Sequence, residues 1–312
     1  MGIYMSEQNS RSSTSFWDIL KNIFLILVIL QIAPGMIVGI KKQYTKLFEL
    51  NAQVGVLPIK GALYDSTYYT KQLHTFFKDS SIKAILLKIE SPGSAAGTGQ
   101  AIYNEIIALK KEHPKPVIVL IENVCASGGY YIASASDYII ASGAATVGSI
   151  GTYLPVVKLK ECIEQFKIYY NPIKSGDYKT VTDPFVDKTP EERELLQGLA
   201  TDIYDQFTND IATSRKLALT EVKQWANGKI FTARQAQKIG LIDELGSAST
   251  ATRVIKEKAL IEGEIEWIYP PKQGGLAAWF SGSEDVDNSM FENCVEALCT
   301  HIEKRYGVSS QI

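Results

Sequence analysis

Short apolar runs alternate with amphipathic stretches through the middle of the chain. Residues 54–61, 82–90 and 116–124 are almost continuously apolar, which is typical of strands that are buried on both faces of a sheet. Between them, residues 64–79 and 97–112 repeat apolar side chains at helical spacing. This alternation predicts an α/β fold built from layers of strands and helices.

The C-terminal half is predicted to be more helical. Thr189 and Glu192 form a capping-box pattern around Pro190, and proline favours the first position of a helix. A long helix is therefore predicted through residues 193–216. A shorter helix is predicted through residues 232–240, which end on a glycine suited to a helix C-cap.

Residues 23–40 form an uncharged apolar stretch of about the minimum length that spans a bilayer as a helix. We predict an uncleaved membrane anchor, because the sequence offers no Ala-x-Ala cleavage site. The alternatives are a cleaved signal peptide whose apolar core ends at Pro34 and a buried core helix. Basic residues stand on both sides of the stretch, so the charge pattern leaves the topology open.

Composition excludes several classes of protein. A formal net charge of -2 over 312 residues and a pI near 6.0 give no basic surface for nucleic acid. Four scattered cysteines and three isolated histidines form neither a disulfide scaffold nor a metal-ligand pattern. We therefore predict no cofactor, no metal and no histidine base.

Two segments place backbone N–H groups at the start of a helix, where they can stabilise an oxyanion. They are residues 87–97 (LKIESPGSAAG) and 122–134 (ENVCASGGYYIAS). Ser127, in the second segment, is the candidate nucleophile, and a serine hydroxyl needs a neighbouring base. A lysine serves as base when burial favours its neutral form. Three lysines follow Tyr169, and the residues alone leave the choice among them open: Lys174, Lys179 and Lys188.

Four motifs, in matching order and spacing, resemble the short form of signal peptide peptidase A, a serine peptidase of the Clp protease and crotonase superfamily. They are ASGGYYIAS (126–134), TVGSIG (146–151), IKSGDYKT (173–180) and GKIFTARQAQKIGLIDELG (228–246). The resemblance covers about residues 54–246. It implies Ser127 as nucleophile, Lys179 as general base and Ser149 as the hydroxyl that orients the lysine. It also implies an oxyanion hole formed by the N–H groups of Gly93 and Gly128.

The resemblance implies a fold of stacked strand-strand-helix units with a helical C-terminal part, preceded here by the transmembrane helix. It further implies a homo-oligomeric ring in which a neighbouring subunit donates Lys179, and a single-pass cell-membrane protein with an extracytoplasmic catalytic domain. The expected substrates are cleaved signal peptides and other hydrophobic membrane-derived peptides. The expected parts are a disordered segment (1–22), the anchor (23–40), a linker (41–53), the peptidase domain (54–268) and a peripheral tail (269–312).

One residue departs from the family's Ser-Pro-Gly-Gly pattern: Ser94 stands where the second glycine is usual. Its Cβ restricts the backbone of a turn that is expected to lend an oxyanion donor. A weakly active membrane scaffold of the same fold is therefore one alternative function. The other is a crotonase-type acyl-CoA enzyme, which needs acidic catalytic residues that Glu122 and Asp137 do not supply in any motif.

Overall fold

A computed structural model describes residue 21 and residues 51–271 of the chain. The anchor predicted at residues 23–40 lies outside the described residues, as do almost all of the predicted disordered segment, most of the predicted linker and almost all of the predicted tail. Among the residues that are described, no helix has both the length and the apolar character of a membrane span.

Within the described part of the chain, eight strands form one sheet in the order β6-β5-β3-β2-β1-β8, with β4 and β7 continuing from β3 on a side branch. All pairings are parallel except the antiparallel pairing of β5 with β6. The strands are β1 (Ala52–Lys60), β2 (Ile82–Ser91), β3 (Val117–Ala126), β4 (Tyr138–Ala141), β5 (Thr146–Gly148), β6 (Ile230–Thr232), β7 (Glu244–Leu245) and β8 (Ile265–Ile268).

The branch lies within β3, whose residues 118–121 pair with β4 while its residues 124–126 pair with β5. The helices are α1 (Thr67–Lys78), α2 (Ala96–Glu112), α3 (Gly128–Ser134), α4 (Lys160–Gln165), α5 (Pro190–Arg215), α6 (Val222–Trp225), α7 (Ala233–Lys238) and α8 (Ala248–Ala259), with a 3-10 turn at Leu219–Glu221.

The capping box at the start of α5 confirms the predicted helix boundary. The Thr189 hydroxyl accepts a hydrogen bond from the Glu192 N–H, and the Glu192 carboxylate accepts one from the Thr189 N–H. Pro190 occupies the first helical position, where its missing N–H leaves no donor unpaired. The predicted helix through residues 232–240 also forms, as α7, with a second capping box between Thr232 and Gln235.

Helices cover both faces of the sheet. On one face, α1, α2, α3 and α5 bury aromatic and branched side chains such as Phe77, Ile102, Tyr130 and Ile211. On the other face, α8 packs against β2 and β3, in an apolar cluster that also contains Val54 and Val56 of β1. Because parallel strands buried on both faces need helices on both sides, the predicted layered α/β arrangement is confirmed. It is consistent with the Clp protease-like fold that the resemblance implies.

The topology decides where the polar motifs meet. Strands β1, β2, β3 and β5 run parallel and are neighbours, so their carboxyl ends lie at one edge of the sheet. The turn after β2 carries Gly93, the turn after β3 carries Ser127, and the turn after β5 carries Ser149. Loops at the carboxyl ends of parallel strands are the usual place for a site in α/β proteins.

Candidate active site

Ser127 lies in the single-residue junction between β3 and α3, with backbone dihedrals of φ 49° and ψ -124°. A non-glycine residue in this region costs about 1–3 kcal/mol and persists only where its surroundings fix it. Its N–H donates to the Gly148 carbonyl at 2.7 Å, and its own carbonyl accepts from the Tyr131 N–H at 2.9 Å. This sharp strand-to-helix turn leaves the half-buried Ser127 hydroxyl at the edge of the sheet, as in other nucleophilic serines on such turns.

Gly128 and Gly93 both lie next to Ser127. Gly128 is the first residue of α3, so its N–H has no acceptor inside the helix. Gly93 has φ 151°, and a Cβ there would lie 3.5 Å from Ser127 Oγ. The Gly93 N–H donates to the buried Ser91 hydroxyl at 3.2 Å, which limits its availability to a bound oxyanion.

Ser94 fits the place of the usual glycine without a left-handed backbone, since its φ is not positive. Its side chain points between two glycines: the Oγ lies 2.6 Å from where a Cβ on Gly99 would be and 1.9 Å from where one on Gly128 would be. The hydroxyl donates to the Ala95 carbonyl at 2.8 Å. The substitution that departs from the family pattern is therefore compensated by the absence of side chains at its two neighbours.

Gly99 lies in α2, and its contact with Ser94 leads to a testable prediction. The effect of Gly99→Ala on stability is expected to change sign when Ser94 is replaced by glycine. Gly99→Ala is expected to lower stability by about 1 kcal/mol, because the new methyl group displaces the Ser94 hydroxyl. In a Ser94→Gly background the same change is expected to raise stability by about 0.5–1 kcal/mol, the usual gain for alanine over glycine in a helix. Urea unfolding of the four variants measures the coupling. Equal effects in both backgrounds would contradict this packing.

Ser149 follows β5 and also has a left-handed backbone, with φ 52°. Its N–H donates to the Lys229 carbonyl at 2.7 Å. Its half-buried side chain lines the same cavity as Ser127, Gly93 and Gly128. Four of the five predicted site residues are thus brought together by the fold.

The cavity has a volume of about 640 Å³. Apart from the two serines and the glycine turns, its walls include apolar side chains that the sequence analysis did not assign to the site: Tyr131, Leu154, Pro155, Ile203 and Phe207. The Tyr131 hydroxyl donates to the Asp210 carboxylate of α5, and its ring stacks on Phe207 at 4.4 Å between centroids. The i, i+4 spacing of Ile203 and Phe207 on α5 was the available signal, but only the packing of α5 against α3 brings them to Ser127.

Lys179 does not lie in this cavity. It stands in an exposed turn, where its N–H donates to the Gly176 carbonyl at 3.2 Å. Among the described residues, nothing accepts a hydrogen bond from its ammonium group. The two other candidate bases are held within the same loop, since Lys174 donates to Thr180 Oγ1 at 3.1 Å and Lys188 to the Val186 carbonyl at 3.0 Å.

The neighbouring thiol is not a competing nucleophile. Cys125 is fully buried in β3, and this burial raises the pKa of its thiol well above the ordinary value. The thiolate is the reactive form of cysteine, so Cys125 is inert. In the part of the chain that is described, no group of three or more His, Cys, Asp or Glu side chains is placed to hold a metal ion.

Comparison with known proteins finds similarity to proteases. Residues 109–262 match peptidase family S49. A putative protease of Methanocaldococcus jannaschii is 34% identical over 215 residues, which are 68% of this chain and 67% of the relative. A putative protease of Synechocystis is 32% identical over 77% of this chain and 87% of the relative. A putative signal peptide peptidase SppA of Enterococcus faecium is 30% identical over 69% of this chain and 63% of the relative.

A serine on a strained strand-to-helix turn, beside N–H groups at a helix start and inside a mixed α/β sheet, defines a serine hydrolase. The relatives narrow that class to serine peptidases. The chain belongs to peptidase family S49.

Proposed function

We propose that this chain is a membrane-anchored serine endopeptidase with a Ser127/Lys179 dyad. Its substrates are signal peptide remnants and other hydrophobic peptides derived from the membrane. The observation that carries the proposal is the left-handed Ser127 at the start of α3, inside a cavity that also holds Gly93, Gly128 and Ser149.

In the proposed reaction, Ser127 Oγ attacks the peptide carbonyl while Lys179 Nζ accepts the hydroxyl proton. The Gly128 N–H stabilises the oxyanion, together with an N–H from the turn that contains Gly93. The proton then moves from Lys179 to the leaving amine, and an acyl-enzyme remains on Ser127. Water, deprotonated by Lys179, hydrolyses this ester and restores the free serine. Ser149 accepts a hydrogen bond from the lysine and orients it.

Two N–H groups of the turn after β2 are candidates for the second oxyanion donor, those of Gly93 and Ser94. The Gly93 N–H is engaged by Ser91 Oγ. The Ser94 nitrogen lies 2.7 Å from where a Cβ on Gly128 would be, so the two turns are in contact at this point. Either donor belongs to the turn after β2, so the proposed hole needs β2 and β3 side by side.

The position of Lys179 supports an assembly in which one copy of the chain completes the site of another. Lys179 is exposed and outside the cavity of its own chain. The segment around it exposes an unusual number of large apolar side chains, which favours burial against a partner. They are Tyr153, Val156, Val157, Phe166, Ile168, Tyr169, Ile173 and Tyr178. We propose a homo-oligomeric ring of this chain as that partner, so that a monomer is inactive.

The proposed substrates and membrane location are inferred from two apolar features, the walls of the cavity and the stretch at residues 23–40. The cavity walls contributed by Tyr131, Leu154 and Phe207 suit apolar peptide side chains. The apolar stretch at residues 23–40 is proposed as the single membrane-spanning anchor, with residues 54–268 as an extracytoplasmic peptidase domain and the tail beyond them peripheral. Such an anchor brings the site close to peptides left in the bilayer.

Of the two alternatives, family membership removes the acyl-CoA enzyme. The weakly active scaffold was proposed because the Ser94 side chain could distort the turn after β2. That side chain fits between Gly99 and Gly128, which argues against such a distortion. A serine-reactive fluorophosphonate probe separates the scaffold from the peptidase, because only an activated Ser127 is labelled.

The test is hydrolysis of a fluorogenic hydrophobic peptide by the purified full-length assembly. Ser127→Ala and Lys179→Ala are each expected to lose at least about 10³-fold in activity, as removal of a nucleophile or its base does. Lys174→Ala, which changes a lysine of the same loop that is bonded to Thr180, is the control and is expected to stay active. A mixture of the Ser127→Ala and Lys179→Ala subunits is expected to regain part of the activity.

The outcomes separate the parts of the proposal. Full activity in Ser127→Ala would reject the nucleophile and the mechanism with it. Loss of activity in Lys174→Ala, with retention in Lys179→Ala, would reject the assignment of the base. No recovery in mixtures shown by mass spectrometry to contain both subunits would reject the shared site.

A further inference from the structure

One peptide unit, between Gly148 and Ser149, connects the two serines of the site. Its carbonyl accepts the hydrogen bond from the Ser127 N–H at 2.7 Å, and its N–H donates to the Lys229 carbonyl at 2.7 Å. Because the atoms of a peptide unit are coplanar, a tilt of this plane moves both contacts together. The backbone of Ser127 is therefore linked to the segment just before β6 through a single rigid group.

Strand β5, which ends in this peptide unit, lies between β3 and β6. Ala126 pairs with Gly148 on one side, and Val147 pairs with Phe231 on the other. Strand β6 has three residues and, among the residues that the structure describes, is the last strand of the sheet on this side. So short an edge strand has few ladder hydrogen bonds, and side-chain packing must hold much of its position.

The ring of Phe231 supplies that packing. Its Cδ2 atom lies 2.8 Å from where a Cβ on Gly148 would be, and the Lys229 carbonyl lies 2.9 Å from the same point. Gly148 itself has φ 105°, so the strand turns into Ser149 at a position that only glycine adopts easily. The half-buried ring covers the Cα of Gly148 and packs against the main core.

The backbone conformations of Ser127 and Ser149 must be held in place by contacts with neighbouring segments. Ser127 and Ser149 have φ of 49° and 52°, a region that costs a non-glycine residue free energy unless neighbours enforce it. The enforcing contacts are the two hydrogen bonds of the Gly148–Ser149 peptide unit. We propose that Phe231 is a positioning residue of the peptidase: its ring fixes β6 and that peptide unit, and thereby aims the Ser127 and Ser149 hydroxyls. The inference rests on the proposed roles of these serines.

This role affects the chemical step more than substrate binding. Phe231 is not among the residues that line the cavity, so its truncation leaves the walls for the peptide side chains in place. A displacement of the reacting groups by about 1 Å costs about 10²-fold in rate. Phe231→Ala is therefore expected to lower kcat about 10- to 100-fold with KM little changed, and Phe231→Leu to lower it less.

The experiment compares these variants with two matched controls in the full-length assembly. Phe77→Leu removes the same atoms from a phenylalanine of α1 that is only 1% exposed, so it reports general loss of packing. Ile230→Ala truncates the 64% exposed neighbour of Phe231 in β6. The measurements are kcat, KM, the labelling rate of Ser127 by a fluorophosphonate, and the unfolding midpoint in urea.

The inference is supported if both Phe231 variants have a lower kcat and a lower labelling rate than the wild type, with Phe231→Ala lower than Phe231→Leu. Phe77→Leu must at the same time lose stability but keep the wild-type kcat. It is overturned if Phe231→Ala keeps the wild-type kcat, or if kcat follows the unfolding midpoint equally in Phe77→Leu and Phe231→Leu. These outcomes are distinct from failure of the proposed function, in which the wild-type assembly is not labelled at Ser127 at all.

Discussion

Gly128→Ala is expected to lower kcat/KM at least about 10²-fold, the typical cost of losing one oxyanion donor. A Cβ at Gly128 would lie 1.9 Å from Ser94 Oγ and 2.7 Å from both the Cβ and the nitrogen of Ser94. The hydroxyl can rotate away, but the backbone nitrogen cannot. The turn after β2 must therefore move away from the start of α3, and the proposed oxyanion hole opens.

Two further variants make this prediction specific. Ser94→Gly in the Gly128→Ala background removes the hydroxyl and Cβ conflicts but not the backbone one, so only partial recovery of activity is expected. Gly97→Ala places a methyl group where no atom lies within 4 Å and is expected to be harmless. Steady-state hydrolysis of the fluorogenic peptide measures all three. Wild-type activity in Gly128→Ala would show that the two turns are not packed as described.

Asp243→Asn is expected to lower the free energy of unfolding by about 3 kcal/mol, the largest effect on stability that we predict. Arg215 and Asp243 form a two-armed ion pair with both N···O distances at 3.0 Å. The Arg215 side chain is only 8% exposed, and its guanidinium also donates to the Gly240 carbonyl. Removing the partner leaves a buried charge unpaired, which costs more than the pair itself contributes.

The control is the double variant Arg215→Met, Asp243→Leu. Apolar residues of similar size in place of a buried ion pair are often close to neutral, so recovery of more than half of the loss is expected. The recovery is not complete, because the Ile139 N–H loses its acceptor on Asp243, at 2.7 Å. Urea unfolding of the single and double variants measures this. A loss below about 1 kcal/mol for Asp243→Asn would mean that water screens the pair.

Local sequence patterns predicted what depends on neighbours in the chain. The capping box at Thr189 and Glu192 needs residues three apart, and the structure contains it. The candidate nucleophile came from the same kind of signal, since Ser127 stands between an apolar strand and a glycine-rich helix start. The resemblance then selected Ser149 and Lys179, for which spacing in the sequence gave no reason.

Contacts between distant segments could not be predicted from those patterns. The sequence raised doubt about Ser94, because a Cβ restricts the backbone of a tight turn. The doubt was reduced only by the two glycines, Gly99 and Gly128, that the fold places on either side of its side chain. Likewise, no spacing rule pairs Arg215 with Asp243 or Lys229 with Ser149.

By itself, the sequence determined the layered α/β class, the main helix starts and the nucleophile candidate, because hydrophobic periodicity and capping act over a few residues. The tertiary structure decided which turns meet at one edge of the sheet, which side chains form the cavity, and that Lys179 lies outside the cavity of its own chain. Those outcomes depend on strand order, β6-β5-β3-β2-β1-β8. Strand order is set by packing and pairing between segments far apart in the chain, and no local pattern encodes it.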